Sequence, residues 1–568
     1  MSGLKDFRGL EGSNFFELDA GFQSLLGELI ADDKRAPVFE SLAECGTLVA
    51  GPWDELAREA SRHENLPKII KLDRVGNPTE RVDFGPISRR LRSEVAEFGV
   101  LTRPSTELHK FALVYLLAHN GEAAMNCGLS CTDGLIRVIE AKGSDFLRQT
   151  YLPRLRSINT PLAGAQFVTE QSGGSDVGAI ESVATPRGDG TWSITGEKWF
   201  CSNPDEFYLV AARVAGAQPG TRGIGVFLVP RVLPDGRLNS VSFVRLKNKL
   251  GTQSLPTAEM AFNEATGFAI GDPGDGFKTL MNYVINVSRV HNAANACGFL
   301  HRAFIEARNY ARQRVAFGNP LASYPLIRQT LITMLETLWR NRLLTFKTIA
   351  LIDQNGLVPV DESQAMWQRF LINLAKYRTA SSLTDHVKEA ILICGANGIV
   401  EDFSVLPRLM RDSMVIETWE GPHNTLCLQI VRDAMRSDLL DRWHAEVARA
   451  LDHWPKWFLS LTRTRMDQAK LELEDGAPFD RLFDGEWAAA NARRLVDRLG
   501  TLLELAWMGE LASQLLDRSA ALALLTSFAR FRLLATDRLF NHPILDEILE
   551  NADSLIDEKP FMADCAQI

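Results

Sequence analysis

Residues 166–202 decide the reading: Gln166-Phe-Val-Thr-Glu-Gln-Ser-Gly-Gly-Ser-Asp176 and, after a run of two-residue alternation, Gly196-Glu-Lys-Trp-Phe-Cys-Ser202. Gly173 and Gly174 lie in a hydroxyl-rich loop, 169–175, and a second loop spans 200–202. Glycine admits close backbone approach and hydroxyls both donate and accept, which suits a flat heterocycle with mixed polar edges. The same residues also read as two ordinary β-turns on an antiparallel sheet. The rest of the chain has to separate these readings.

With 568 residues the chain should form three or four cores. Its 46% hydrophobic and 23% charged content is that of a globular protein, and a net charge of −9 gives no general pull toward nucleic acid or anionic membrane. Eight cysteines are scattered without a CxxC pair, and Cys127 and Cys131 lie four apart in an apolar helical stretch, where thiols are expected rather than a bridge. The start, Met-Ser-Gly-Leu-Lys-Asp-Phe, lacks the features of a signal peptide, and no apolar run approaches about 18 residues. A cytoplasmic protein without a membrane span is expected.

Three- and four-residue apolar spacing predicts helices over 21–30, 37–50, 53–62, 87–98, 107–119, 121–141 and 145–155, with a loop or short hairpin over 71–86. His109 and His119 fall on this material without a second ligand at metal spacing, so no metal site is expected. From 161 the pattern alternates at period two, with turns such as Arg187-Gly-Asp-Gly and Leu233-Pro-Asp-Gly. Helical periodicity returns at 276, in segments 277–313, 324–354 and 361–394; lengths of roughly 30 residues point to a long-helix bundle. The expected organisation is an N-terminal helical domain (1–160), an inserted antiparallel β-domain (161–272), a long-helix bundle (273–436) and a C-terminal helical extension (437–568) with a loop over 479–487. The extension carries 15 basic and 23 acidic side chains, so Arg493, Arg494 and Arg498 read as a solvated helical face, not a DNA patch.

In this order of blocks, five motifs resemble the acyl-CoA dehydrogenase flavoproteins. They are Phe167-Val-Thr-Glu-Gln-Ser-Gly-Gly-Ser-Asp176, Gly196-Glu-Lys-Trp-Phe-Cys-Ser202, Gln313-Arg-Val-Ala-Phe-Gly318, Gly395-Ala-Asn-Gly398, and Leu409-Met-Arg-Asp-Ser413 leading to Trp419-Glu-Gly421. The long N-terminal part and the added C-terminal helices are most similar to the alkylation-response (AidB-like) branch.

The resemblance implies FAD. Phe167, Val168 and Thr169 are expected at the pyrimidine edge of the flavin. Phe200 stands where a Trp more often packs on the isoalloxazine, and Ser202, beyond Cys201, stands where a Thr often supplies a hydroxyl near N5. Arg314 and Phe317, with Gly395 and Ala396, match residues that reach an FAD bound mainly by a neighbouring subunit, implying a homodimer or homotetramer. Departures from the pattern are Leu392 for a common Gln, and Pro422 and Asn424 for a Thr and a Gln; Asn424 can still hydrogen-bond.

The implied reaction is α,β-dehydrogenation of an acyl-CoA thioester, Glu420 removing the α-proton and flavin N5 accepting the β-hydride, with electrons passed to an electron-transfer flavoprotein or similar carrier. Arg289 matches an arginine beside the base, Ser175 a serine contacting substrate, and Asn286 an Asp that often holds the pantetheine arm. The resemblance also implies that a backbone N–H at the base, Glu420, and a ribityl hydroxyl polarise the thioester carbonyl, with Gly421 on the substrate side. The family's second base location corresponds to Ser288, which has no carboxylate. His423 reads as a tuner of the base or as a loop histidine, and Trp339 and Phe346 as core or acyl-chain contacts. Competing readings are a flavin oxidase or monooxygenase on the same fold, and a DNA-associated flavoprotein.

Overall fold

The computed structural model describes residues 7–453, 485–515 and 548–558. Helices α1 (Ala20–Leu29), α2 (Asp32–Ala50) and α3 (Pro52–Ala60) come first, then a hairpin of β1 (Lys68–Leu72) and β2 (Pro78–Asp83), in the span read as a loop or short hairpin. Helices α4 (Gly85–Phe98), α5 (Glu107–Leu117), α6 (Asn126–Lys142) and α7 (Asp145–Leu155) follow. The strands are β3 (Gly164–Phe167), β4 (Val183–Pro186), β5 (Trp192–Ser202), β6 (Phe207–Val214), β7 (Ile224–Pro230), β8 (Val241–Leu246) and β9 (Thr257–Ala269). After them come α8 (Gly276–Leu280), α9 (Asn286–Gln313), a small hairpin of β10 (Val315–Ala316) and β11 (Asn319–Pro320), and then α10 (Pro325–Asn355) and α11 (Glu362–Cys394). The last elements are α12 (Leu406–Thr418), α13 (His423–Ala434), α14 (Leu439–Asp452), α15 (Gly485–Ala490), α16 (Ala492–Gln514) and α17 (Ala552–Ile556).

Two predicted helices are cut. The one expected over 121–141 begins only at Asn126, because Gly121, Ala123 and Ala124 all take positive φ (71°, 51° and 60°). The one expected over 277–313 is interrupted by a π-helical turn, Met281–Ile285, a distortion that recurs at functional sites. Of the loop expected over 479–487, residues 485–487 are helical and 479–484 lie outside the described residues. No helix among the described residues is long and apolar enough to cross a membrane.

The chain packs as two compact units, residues 51–295 and residues 1–50 with 296–568. The pattern-based division into four marks where secondary structure changes; this one marks where packing is dense. In the first unit, β6, β4, β5, β9 and β7 pair in a ring that closes through β6–β7, with β3 and β8 added outside it. The sheet expected to be antiparallel is so at β4–β5, β5–β9, β6–β7, β7–β9 and β8–β9, but β3 and β4 each run parallel to β6. Alternation reports which face a side chain takes and carries no information on strand direction. β6 is buried on both faces: Tyr208, Val210 and Ala212 join a core with Phe167 and Phe227, while Phe207, Leu209 and Ala211 join Leu135, Ile139 and Tyr151 of α6 and α7.

Arg92 of α4 is the polar centre of this unit. Its buried guanidinium donates to the carbonyls of Ala124 (2.8 Å), Pro161 (3.2 Å) and Leu162 (2.9 Å) and to Oδ1 of Asn203 (2.9 Å), with the Phe84 ring beneath it. Asn203 in turn donates to the Leu162 and Gly164 carbonyls, fixing the chain just after β5. Arg92→Leu strands these acceptors and is expected to cost about 3 kcal/mol or more, read as a shift in the chemical denaturation midpoint.

Candidate active site

The loop 168–176 leaves β3 and is anchored from within. The Lys198 ammonium, fully buried, bonds Oε1 of Glu170 at 2.6 Å and the Val168 carbonyl at 3.2 Å, and Glu170 also accepts from the amides of Glu181 (2.6 Å) and Ser182 (3.1 Å). Burial pushes the Glu170 carboxyl up, but the Lys198 charge and these donors outweigh it and hold it below its usual value. The Trp199 amide donates to the Thr169 carbonyl at 2.9 Å, joining the two quoted motifs. A Cβ at Gly174 would stand 2.6 Å from the Thr169 hydroxyl, so any larger residue there would displace the Thr169 side chain. Ser175 is exposed, and Val168 and Thr169 are half-buried.

Two expected cofactor residues turn the other way. Phe167 is fully buried and stacks on Tyr208 at 5.0 Å, and Cys201 is fully buried with Sγ 3.6 Å from the Lys198 carbonyl, so both side chains serve the β-domain core. Only their backbones are left for a ligand. In β5 a register shift between Lys198 and Cys201 breaks the alternation, so that both of these side chains, three apart, are buried while Phe200 between them is 50% exposed. Lys247 places its ammonium 4.6 Å from the Phe200 ring and 3.5 Å from that of Trp199. The Ser202 hydroxyl lies 3.0 Å from that of Thr257, which accepts from the Lys249 ammonium at 2.9 Å. With its lone pairs facing Lys249, Thr257 can donate to Ser202 and leave the Ser202 hydrogen for a ligand.

The same unit holds the substrate-side candidates on α9. Asn286 follows the π-helical turn, and its buried Oδ1 has no hydrogen-bond partner among the described residues. Arg289 is buried. Ser288 is committed, bonding Gln166 at 3.1 Å and Ser130 at 3.2 Å. Cys127 and Cys131 are free thiols 3.8 Å apart.

The second unit carries the remaining candidates. Arg314 precedes the β10–β11 hairpin and makes no side-chain hydrogen bond or ion pair among the described residues. The hairpin turn puts Phe317 at φ 52° and Gly318 at 89°, the pattern of a type I′ turn, in which a phenylalanine is disfavoured. Phe317 is also 95% exposed. Gly395, at φ 61°, ends α11 with open space where a Cβ would stand, and Ala396 beside it is exposed. Asn397 is tied to the Tyr310 hydroxyl at 3.1 Å.

Glu420 lies in the turn between α12 and α13, half-buried, at φ 57°; Gly421 follows at 103°. The turn is held by residues the motifs did not single out. Lys376 of α11 donates to the carbonyls of Glu417 and Gly421, both at 2.9 Å, and the Glu417 carboxylate takes the Thr384 hydroxyl. Asn424 accepts through Oδ1 from Nε of Arg493 at 2.7 Å, which leaves its Nδ2 able to donate. Arg493 and Arg494 are exposed, as a solvated helical face would be, and the first turn of α16 brings Arg493 to this loop. Trp339 and Phe346 are buried in the bundle, Phe346 edge-on to Phe22 at 4.7 Å.

His423 is pushed down to about 4 by burial, then by the charges of Lys376 and Arg493. Its unfolded value is near 6.5, so the unfolded chain takes the proton first on acidification. The stability this group contributes is fully present above pH 6.5 and is lost as pH falls toward 4. Melting temperature measured across that window should decline toward acid, and His423→Gln should flatten the decline.

Residues 165–265 match the model of the acyl-CoA dehydrogenase middle domain and residues 274–435 that of the acyl-CoA dehydrogenase C-terminal domain. The chain is 30% identical over 438 residues to acyl-CoA dehydrogenase family member 11 of Caenorhabditis elegans, covering 74% of this chain and 70% of that one. It is 35% identical over 395 residues to the putative acyl-CoA dehydrogenase AidB of Escherichia coli (strain K12), covering 66% and 70%. The crystal structure of Caenorhabditis elegans ACDH-11 in complex with C11-CoA superposes with a TM-score of 0.84 at 24% identity, over 99% of this chain and 98% of that one.

Proposed function

Because the chain belongs to the acyl-CoA dehydrogenase family, we propose that it is an FAD enzyme that desaturates an acyl-CoA thioester between its α- and β-carbons, with Glu420 as the base. The observation that carries the assignment is the backbone of Glu420. Glu80, Glu264 and Glu558 also take positive φ, and what sets Glu420 at φ 57° apart is that it does so within Trp419-Glu-Gly421, on the turn between α12 and α13. The alternative position for a base holds Ser288, already bonded on both sides and without a carboxylate.

The residues present fit the flavin. Phe200 offers an exposed aromatic face, Ser202 a hydroxyl with a hydrogen to donate, and the backbone of 167–169 a polar edge. Arg314 offers a guanidinium without a partner among the described residues and suited to a pyrophosphate, and the open space at Gly395 admits close backbone approach. Bound FAD supplies a two-electron acceptor for the hydride leaving the β-carbon. Glu420 accepts the α-proton, and its backbone amide is assigned to the thioester carbonyl, where charge develops as that proton leaves, with Gly421 beside it on the substrate side. Asn286, whose buried Oδ1 has no partner among the described residues, is assigned to an amide N–H of the pantetheine arm, and Ser175 and Arg289 to substrate contact. Exposed Phe317, Leu392 and Ile399 favour burial against a second copy of the chain, in a homodimer or homotetramer. Reducing equivalents then pass to an electron-transfer flavoprotein or similar carrier.

Anaerobic titration of the flavoprotein with a panel of acyl-CoA esters should bleach the flavin, and an absence of bleaching with every ester overturns the dehydrogenase reading. Rapid reoxidation of bleached flavin by air would instead favour an oxidase. Glu420→Gln should retain FAD yet lose reduction by at least about a thousandfold, the scale of removing an essential base. Unchanged turnover in that variant removes Glu420 as the base.

A further inference from the structure

Lys376 is fully buried, and a buried ammonium must find acceptors. Two of those acceptors belong to the loop of Glu420: the carbonyl of Glu417, in the last turn of α12, and the carbonyl of Gly421, just past the base. The Glu417 carbonyl is one of those a helix C-terminus leaves without an intrahelical partner. One nitrogen therefore pins both ends of the span 417–421, within which Glu420 holds its left-handed backbone.

The helix carrying Lys376 is itself held on its other side. Tyr377 donates to Asp497 at 3.0 Å, and Arg378 bonds Asp497 at 2.9 Å, Thr501 at 3.2 Å and both oxygens of buried Glu504 at 2.8 and 2.9 Å. All three partners lie on α16 of the C-terminal extension. Three consecutive residues of α11 thus join the extension to the base loop.

We propose that Lys376 is a positioning residue for the base, its ammonium bridging Glu417 and Gly421 so that Glu420 keeps the backbone conformation from which its carboxylate meets the substrate. This rests on the reading of Glu420 as the base. Without the bridge the loop is free to relax toward the backbone conformations a glutamate prefers, and the carboxylate moves with it. Because the ammonium bonds backbone and not substrate, its loss should fall on the chemical step and not on binding.

The test is single-turnover flavin reduction by acyl-CoA in Lys376→Met, Lys376→Arg, Glu420→Asp and the double variant Lys376→Met/Glu420→Asp. Expected are a loss of about tenfold or more in the reduction rate of Lys376→Met with KM within about twofold of the parent and the flavin spectrum retained, and partial recovery in Lys376→Arg, which keeps the charge and the donors. The double variant should be far less impaired than the product of the single losses, since both act on one carboxylate. An undiminished rate in Lys376→Met, multiplicative losses in the double variant, or a loss confined to KM would overturn the proposal. Failure of both Lys376 variants to fold would make the lysine a structural part of the bundle and overturn it as well. If Glu420→Asp and Glu420→Gln keep the parental rate, the base assignment fails instead.

Discussion

Glu504 is fully buried, and a carboxylate there persists only because two guanidiniums meet it: Arg340 at 2.8 Å and Arg378 at 2.8 and 2.9 Å. Burial pushes its carboxyl up, but the two arginines more than offset this and keep it ionised. Removing Glu504 would strip one partner from each of two buried guanidiniums, leaving Arg340 with Glu336 and Arg378 with Asp497, and such a loss costs more than the pair itself contributes. The cluster thereby joins α10, α11 and α16 in one geometry. α11 presents Lys376 to the loop of Glu420, so the placement of that loop depends on an ion cluster contributed partly by the C-terminal extension.

The β-domain uses the same device at its own functional loop. Glu170 and Lys198 pair at 2.6 Å beneath the loop 168–176, and the carboxylate also takes two backbone amides. A glycine-rich, hydroxyl-rich loop has little packing of its own, and the charge pair below it supplies the rigidity a ligand site needs. In both units a turn that carries expected ligand residues is held by a buried lysine on a neighbouring regular element, Lys198 of β5 for the loop 168–176 and Lys376 of α11 for the loop of Glu420.

Several parts of this were legible from residues alone. The switch from helical spacing to alternation near 161 and back near 276 matches the observed change of elements, because burial of one face imposes the period. The five ordered motifs identified the family. Less legible were Phe167 and Cys201: they sit inside motifs whose neighbours face outward, and only the pleat of β3 and the register shift in β5 show that their side chains join the core. Glu170 and Lys198 were in plain view in the quoted stretches, yet a Glu and a Lys 28 positions apart carry no mark of being a pair.

The sequence by itself determined the family, the order of helical and β blocks, and Glu420 as the carboxylate to consider, since these depend on local period and on residue identity. Only the tertiary structure decided that β3 and β4 run parallel to β6, that Glu420 sits in a left-handed turn bracketed by Lys376, and that Arg493 reaches Asn424. Each of these is a meeting of residues far apart along the chain. Such meetings are set by which buried charges and carbonyls must be satisfied together, a condition that exists only once the chain is folded.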